Sequence, residues 1–459
     1  MKIKNRKALL LNALHPEDLK ARELCLRFLE KGIEAVDPKL LVENVLKVSG
    51  ESISVCGRKF DISEINRLFV VGAGKASGAM AEALEKVLGK RINAGLLNVP
   101  EGTRGSYKTR KIELNEAGHP IPNLAGELGT KRMLSLISDL REDDLVLCLI
   151  SGGGSALMPL PAQGISLQDK VELTRLMIKC GATIEEVNAV RKHVSAIKGG
   201  QLARKISPAT LIALVISDVV GDRLGVIASG PTVPDESTYE DAKRVLEEYN
   251  VWSSCPKNIR NHILNGIRGR ASETPKPGDP AFNRVSNFII GKNALALSAI
   301  AKEASDEGLD PLILSSSIEG EARHVGTVLA GIAREIQDSG QPVTKPGIVI
   351  AGGETTVTVT GDGLGGRNQE TVLSTALRIE GLRGVAIASI GTDGVDGVTD
   401  VAGAIVDGQT IARAKKIGLD AGEHLRNNDS YNFFRKLGDM IVTGPTGTNV
   451  NDIMVILET

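Results

Sequence analysis

One glycine-rich turn near the start of the chain carries the residues best suited to phosphate chemistry. The stretch LFVVGAGKASGAMAE begins as a buried strand, turns through Gly72 and Gly74, and continues as an alanine-rich helix. Such a turn presents backbone N–H groups to a phosphate, and Lys75 would add a full positive charge. The phosphate could belong to a bound dinucleotide or be about to be transferred. The alternative without function is a tight strand–helix turn with a solvated lysine.

The match of this turn to a dinucleotide-binding fingerprint is partial. The fingerprint requires G-x-G-x-x-G, and Ser77 replaces its third glycine. It also requires an acid at the end of the second strand for the ribose hydroxyls, yet that strand ends LLNVPEG, with Asn98 inside and Glu101 late. A Walker phosphate loop, G-x-x-x-x-G-K-[ST], is absent from the sequence.

A second glycine turn follows the apolar run 145–150. Gly152, Gly153 and Gly154 let a backbone approach an anion closely, and each N–H can point at it. Ser155 could donate a further hydrogen bond. A flexible surface loop is the alternative, but the apolar flanks favour an anion cradle.

Two further groups near this turn could act on a phosphate or an alcohol. Lys198 stands beside a glycine pair in RKHVSAIKGGQLA and could reach phosphates, although such charge usually marks a solvated face. His193 in the same stretch is interpreted as structural. Asp218 ends an apolar strand, where a carboxylate could bind Mg²⁺ or accept a proton from an alcohol.

The second half of the chain adds a cation and several carboxylates. Arg367 follows two glycines at a predicted helix start, in GGRNQE, and could clamp a carboxylate or phosphate bidentately beside Asn368. Glu354 follows a glycine pair at a strand end. Asp393 begins the acidic turn DGVDGVTD, whose spacing is not that of a helical calcium loop. A magnesium site or a hydrogen-bonded loop is favoured there.

Alternating strands and helices position these turns. The runs LFVV, AGLLNV, KIELNEA, LVLCLI and LIALVIS, with helices between them, predict a doubly wound, mostly parallel sheet. Ligands bind outside the carboxyl ends of such strands, so the turns can converge on one crevice. A second α/β set includes NFIIG and a half-exposed strand at 355–360, which predicts a smaller mixed sheet. We therefore expect a Rossmann-like domain over 1–250, a connector over 251–284 and a second domain over 285–459.

Composition restricts the class of protein. Hydrophobic residues make up 42% of the chain, charged residues 24%, and the net charge is −1, so nothing favours nucleic acid or a membrane surface. The five cysteines are widely spaced without a C-x-x-C pair. No apolar run approaches the ~20 residues of a membrane span, and the N-terminal stretch reads as a surface helix. A cytoplasmic protein is expected. The sequence leaves open which domain the N-terminal helices pack against, and it is compatible with a homodimer.

Taken in order, the motifs resemble one family. VGAGKASGAM, GHPIPN, LISGGGSAL, RKHVSAIKGGQLA, ISDVVGDRLGVIASGPTVPD, GGETTVTVTGDGLGGRNQE and GTDGVDGVTDVAGA together resemble the class II glycerate kinases, or MOFRL family, across nearly the whole chain. The resemblance implies a D-glycerate 2-kinase that transfers the ATP γ-phosphoryl group to the 2-hydroxyl. It also implies two α/β domains with the active site in the cleft between them. The family's prominent active-site lysine and arginine fall on Lys75 and Arg367.

The resemblance suggests a role for each candidate residue. Lys75 would neutralise the migrating phosphoryl group, the 152–155 turn would cradle the nucleotide phosphates with Mg²⁺, and Arg367 would grip glycerate. Asp218 or Asp393 would act as base or hold the metal, with Glu354 a further metal candidate. Two alternatives remain: an NAD(P)H-dependent hydroxypyruvate reductase, and a non-catalytic protein that binds a sugar acid or nucleotide.

Overall fold

A computed structural model describes residues 2–459 and divides them into two compact units. The central unit is Pro38–Ile290, and the terminal unit joins the chain up to Asp37 with Gly291–Thr459. The helices are α1 (Arg6–Leu11), α2 (Pro16–Ala35), α3 (Pro38–Val45), α4 (Ser77–Leu88), α5 (Leu124–Leu136), α6 (Gly154–Leu157), α7 (Leu167–Lys179), α8 (Ile184–His193), α9 (Gln201–Ile206), α10 (Tyr239–Glu248), α11 (Lys257–Ile267), α12 (Asn293–Asp306), α13 (Ala322–Ser339), α14 (Arg367–Ala376), α15 (Thr410–Lys416), α16 (Ala421–Arg426) and α17 (Ser430–Leu437). The strands are β1 (Leu46–Ser49), β2 (Ser52–Val55), β3 (Arg58–Asp61), β4 (Leu68–Ala73), β5 (Ala94–Pro100), β6 (Ile112–Ala117), β7 (Leu145–Ile150), β8 (Thr210–Ile216), β9 (Val285–Gly291), β10 (Asp310–Ile318), β11 (Gly347–Gly353), β12 (Val385–Gly391), β13 (Gly403–Asp407), β14 (Met440–Ile441) and β15 (Asp452–Glu458).

The central unit is built on the predicted parallel sheet. Its strand order is β6-β5-β4-β7-β8-β9, and β4 to β8 pair in parallel. Strands β4 and β7 are buried along their whole length, as expected of strands covered by helices on both faces. The strand order reverses between β4 and β7, so a crevice opens at their carboxyl ends. Both glycine turns leave the sheet at that point.

The terminal unit is built on the predicted mixed sheet, of order β10-β11-β15-β12-β13-β14. Strand β15 is antiparallel to β11 on one side and β12 on the other, so β11 and β12 run parallel to each other. The carboxyl ends of β11 and β12 therefore flank the first residue of β15, Asp452, which pairs in register with Gly353 and Gly391. This edge carries the candidate site residues of the terminal unit.

The N-terminal helices belong to the terminal unit, whereas the predicted division placed them with the first domain. A buried ion network explains the difference. Arg22 of α2 is fully buried, and its Nε donates to Asp407 Oδ2 at 2.6 Å. Its Nη1 donates to Asp439 Oδ1 at 2.9 Å and to the Leu9 carbonyl at 3.0 Å. Asp407 and Asp439 lie 385 and 417 residues along the chain from Arg22, so the sequence around α2 gives no indication of this contact.

Three other expectations differ from the observed elements. Strand β9, predicted as the start of the second domain, is the edge strand of the first sheet, so the unit boundary falls at Ile290. The predicted connector contains α11, whose Ile259 and Ile263 are buried with residues of α10. Residues 355–360 are not a strand; they form an extended segment with one isolated bridge, Glu321 to Thr356. The mixed character of the sheet comes from β15 instead.

Among residues 2–459 no helix has the length and apolarity needed to span a bilayer.

Candidate active site

The two glycine turns of the central unit contact each other at the carboxyl ends of β4 and β7. The Lys75 N–H donates to the Gly152 carbonyl at 2.8 Å, and the Ala76 N–H donates to Ser151 Oγ at 2.9 Å. A Cβ atom at Gly74 would lie 2.7 Å from the Ser151 nitrogen, so only glycine allows this approach. The expectation that the turns converge is confirmed for this pair.

Lys75 lies beside the second glycine turn. An added Cβ at Gly153 would meet Lys75 Cγ at 3.4 Å and His119 Nε2 at 2.9 Å. Lys75, Gly153 and His119 therefore line one surface at this edge of the sheet. His119 belongs to the motif GHPIPN, which the sequence does not mark as part of this site. It lies after β6, one strand beyond β5, and the sequence alone did not show which turn it would approach.

Other predicted phosphate-binding residues support the turns rather than face outward. Ser77 is buried, and its Oγ donates to the Gly74 carbonyl at 2.7 Å. Ser155 Oγ lies 2.8 Å from Ser229 Oγ, which in turn donates to Asn188 Oδ1. Gly72 belongs to β4, where an added Cβ would meet the Leu149 backbone of β7, and Gly154 packs against Ala228. These residues fix the shape of the cradle.

Asp218 lies against the second glycine turn, as its place after β8 suggested. A Cβ at Gly152 would lie 2.6 Å from Asp218 Cγ and closer still to Oδ2. The structure thus brings Lys75, the 152–155 turn and Asp218 together within one unit. His193, interpreted as structural, is buried, with Nε2 2.8 Å from Glu273 Oε1.

In the terminal unit Arg367 is held by two carboxylates. Its Nε and Nη2 donate to the two oxygens of Asp452 at 2.7 and 3.0 Å, and its Nη1 donates to Glu354 Oε1 at 2.7 Å. Asp452 is 0% exposed, whereas the Arg367 side chain is 31% exposed. Burial raises the pKa of Asp452 to about 6 even though the Arg367 charge opposes it. Arg367 lines a cavity of about 560 Å³ with Glu354, Gly363, Gly365 and Gly366.

A buried aspartate that the sequence did not single out as catalytic organises the start of α14. Asp396 accepts hydrogen bonds from the backbone N–H groups of Asn368 and Gln369 at 3.0 and 2.9 Å. The Asn368 side chain is buried, donates to Asp396 and Asp452, and accepts from Ser389 Oγ. Asn368, predicted to bind substrate, therefore positions carboxylates around Arg367. The role of Asp452 could not be predicted, because it is the first residue of an otherwise plain apolar strand with no motif around it.

Two of the predicted metal ligands, Glu354 and Asp393, take part in other contacts. The Glu354 carboxylate accepts a hydrogen bond from Arg367, and the Asp393 carboxylate accepts one from the Val395 N–H at 3.1 Å within its own turn. Within the described part of the chain no three His, Cys, Asp or Glu side chains form a preassembled metal cluster. Mg²⁺ commonly uses only one or two carboxylates and takes its other ligands from water and substrate phosphates. Asp218, beside the glycine cradle, fits that requirement.

The geometry argues against a dinucleotide. Strand β5 carries no acid at its carboxyl end; its Asn98 is buried and donates to the carbonyls of Gly126 and Leu157 at 3.0 and 2.7 Å. The nearby Glu101 accepts from Asn123. A lysine-bearing turn, a second glycine turn and a carboxylate at the switch point instead supply the positive charge, backbone approach and acid–base group that phosphoryl transfer on an α/β fold requires.

Comparisons with known proteins agree with this class. Residues 24–264 match the family model described as a domain of unknown function, DUF4147, and residues 347–452 match the MOFRL family. A glycerate 2-kinase of Pyrococcus horikoshii is 44% identical, covering 95% of this chain and 97% of that protein. A D-glycerate 2-kinase of Thermotoga maritima is 42% identical over 96% of this chain and 98% of its own.

A solved structure and a differently named relative complete the comparison. The crystal structure of glycerate kinase from Thermotoga maritima matches with a TM-score of 0.85 at 42% identity, covering 97% of this chain and all of that chain. An Agrobacterium vitis relative, 40% identical over 96% of this chain and 95% of its own, has a provisional hydroxypyruvate reductase name. The chain belongs to the MOFRL-type glycerate 2-kinase family, as the motif resemblance indicated.

Proposed function

We propose that this protein is a D-glycerate 2-kinase that transfers the γ-phosphoryl group of ATP to the 2-hydroxyl of D-glycerate, giving 2-phospho-D-glycerate and ADP. The observation that carries the proposal is the meeting of Lys75, the 152–155 turn and Asp218 at the switch point of the parallel sheet. Phosphoryl transfer depends mainly on positioning and charge neutralisation, and these groups supply both.

Each group of the central unit has a role in this proposal. The 152–155 turn brings backbone N–H groups to the nucleotide phosphates, whereas the N–H groups of residues 74–77 already donate within the protein. Lys75 acts through its side chain and neutralises the migrating phosphoryl group. Asp218 accepts the proton of the 2-hydroxyl or holds Mg²⁺, and Asp393 is assigned to its own loop. When bound, Mg²⁺ neutralises charge on the transferred phosphate and its neighbour. We place His119 next to Lys75 as a further contact to the same phosphate.

Arg367 would serve the reaction from the terminal unit by binding the glycerate carboxylate. Asp452 holds the Nε and Nη2 side of the guanidinium, whereas Nη1 is held by a single bond to Glu354 that the glycerate carboxylate would displace, and the side chain lines a cavity. A guanidinium with two parallel N–H groups matches a carboxylate bidentately.

All five cysteines are free thiols, which supports a cytoplasmic location.

A coupled assay tests the activity. The protein is mixed with D-glycerate and Mg-ATP, and enolase is the first coupling enzyme, without phosphoglycerate mutase, so that only 2-phosphoglycerate gives a signal. A signal supports the 2-kinase. ADP formation without signal would mean another product, and NADH consumption with hydroxypyruvate would favour the reductase.

Substitutions test the residues. Lys75→Met and Arg367→Met should each lower kcat/KM for glycerate about 100-fold or more, the usual cost of removing a charged donor from a transition state. Lys90→Met removes an exposed lysine just after α4 and serves as the control. If both variants kept near-normal kcat/KM, the site assignment would be wrong even with the activity established.

A further inference from the structure

Three basic side chains of the central unit, two of them buried and one half-buried, form a cluster near the 152–155 turn. Lys170 lies on α7, Arg191 on α8, and Lys198 follows α8. Lys198 is 2% exposed, and its Nζ donates to the Ser155 carbonyl at 3.0 Å, which fixes the cluster to the turn. Lys170 is 7% exposed, and its Nζ has no hydrogen-bond partner. Throughout residues 2–459, no carboxylate forms an ion pair with any of the three.

The three charges act on one another. Burial lowers the pKa of Lys198 well below its usual value, and the charges of Lys170 and Arg191 lower it further. Burial, aided by Arg191, also lowers the pKa of Lys170 to about 7. Glu127 opposes this shift only from a distance, since it is paired with Lys131 at 2.6 Å. The cluster therefore lacks a counter-charge that would keep its amines protonated.

Buried charges in proteins are normally paired, because an unpaired one costs several kcal/mol. Apolar side chains at these positions would avoid that cost if the cluster only filled space. An anionic ligand would supply the missing charge, and Arg191 is the most exposed of the three side chains. The position of Lys198 on the Ser155 carbonyl makes the site continuous with the glycine cradle.

We propose that Lys170, Arg191 and Lys198 bind the polyphosphate chain of the nucleotide, extending the cradle of the 152–155 turn. This inference rests on the proposed kinase function, which supplies the nucleotide. A chain of linked phosphates suits three cations better than a single phosphate does, because its charges are spread over several groups. The nucleotide is then held by side-chain charge in addition to the backbone N–H groups of the turn.

Calorimetric titration of the full chain with inorganic tripolyphosphate and with orthophosphate tests the site. Wild type should bind tripolyphosphate more tightly than orthophosphate, and Lys170→Met should weaken tripolyphosphate binding at least tenfold. Lys179→Met is the matched control, since it removes an exposed lysine from the same helix, and it should leave binding unchanged. Lys170→Arg should restore most of the affinity.

Thermal unfolding distinguishes a loss of the binding site from a failure of the variant to fold. Without ligand, Lys170→Met should unfold at or above the wild-type temperature, because it removes a buried amine that has no hydrogen-bond partner. Normal tripolyphosphate affinity in a folded Lys170→Met protein would overturn the proposal. Equal losses for both anions would overturn the polyphosphate assignment in favour of a single-phosphate site. Tripolyphosphate binding that depends on Lys170 in a protein without glycerate turnover would keep the site and refute the kinase instead.

Discussion

Gly152→Ala should inactivate the enzyme by displacing Asp218. The added Cβ would lie 2.6 Å from Asp218 Cγ, whereas ordinary contact begins near 3.4 Å. The carboxylate must therefore retreat by at least about 0.8 Å. Gly152 does not have a positive φ, so the substitution acts through this contact and not through backbone strain.

The size of the effect follows from this displacement. A misplacement of about 1 Å in a catalytic group can cost about 100-fold in rate. We therefore expect kcat/KM for D-glycerate to fall about 100-fold, or about 2.7 kcal/mol of transition-state stabilisation. Overpacking should lower the free energy of unfolding by about 1–3 kcal/mol, so the variant should still fold.

The enolase-coupled assay measures this loss, with Gly105→Ala as the control. Gly105 also lacks a positive φ, and nothing lies within 4 Å of its added Cβ. Asp218→Asn tests the cause: if Gly152→Ala acts through Asp218, the double variant should be scarcely worse than the more impaired single variant. Gly152→Ala activity within about threefold of wild type, or fully additive losses, would refute the reasoning.

Four further outcomes are expected. Because the pKa of Asp452 is raised to about 6, kcat/KM should fall as Asp452 is protonated below that pH, and Asp452→Asn should abolish this limb of the pH profile. Glu354→Gln should lower KM for glycerate by removing a charge that competes for the arginine, measured in the same assay. Burial raises the pKa of Glu458 from 4.5 to about 7, so stability is lost as the pH rises from the unfolded to the folded value; Glu458→Gln should raise Tm at pH 8.5 but not at pH 4. Arg22→Met should destabilise the protein by about 3–5 kcal/mol in denaturant unfolding, because it leaves the buried Asp407 carboxylate without its cationic partner, whereas Lys20→Met, which removes an exposed lysine from the same helix, should not.

Local patterns in the sequence predicted the parallel sheet well. Strands β4, β5 and β7 are short apolar runs bounded by glycine or polar turns, and each lies where its pattern indicated. Glycine marks a point where a backbone must approach closely, so the turns after β4 and β7 were found from composition alone. Asp218 was found because it directly follows an apolar strand.

Long-range pairing could not be predicted. The packing of α2 into the terminal unit depends on Arg22 reaching carboxylates far along the chain. Alternating Thr and Val at 355–360 resembled a half-exposed strand, but that segment lacks a continuous neighbouring strand to pair with. Lys170 escaped notice because a lysine among polar helical residues reads as solvated; only the fold reveals that it is buried.

The surroundings of Arg367 limit how it can bind an anion. One positive charge is set against the two carboxylates of Asp452 and Glu354, so the group as a whole does not attract an anion while both are ionised. Asp452 is fully buried and doubly hydrogen-bonded to the arginine, whereas the Glu354 side chain is 42% exposed and holds it through one bond. An incoming glycerate carboxylate would therefore displace Glu354 and leave Asp452 to orient the guanidinium. In the free enzyme Glu354 would therefore occupy the position on Arg367 that the glycerate carboxylate takes. This role differs from that of a metal ligand, and removing the Glu354 charge should favour substrate binding.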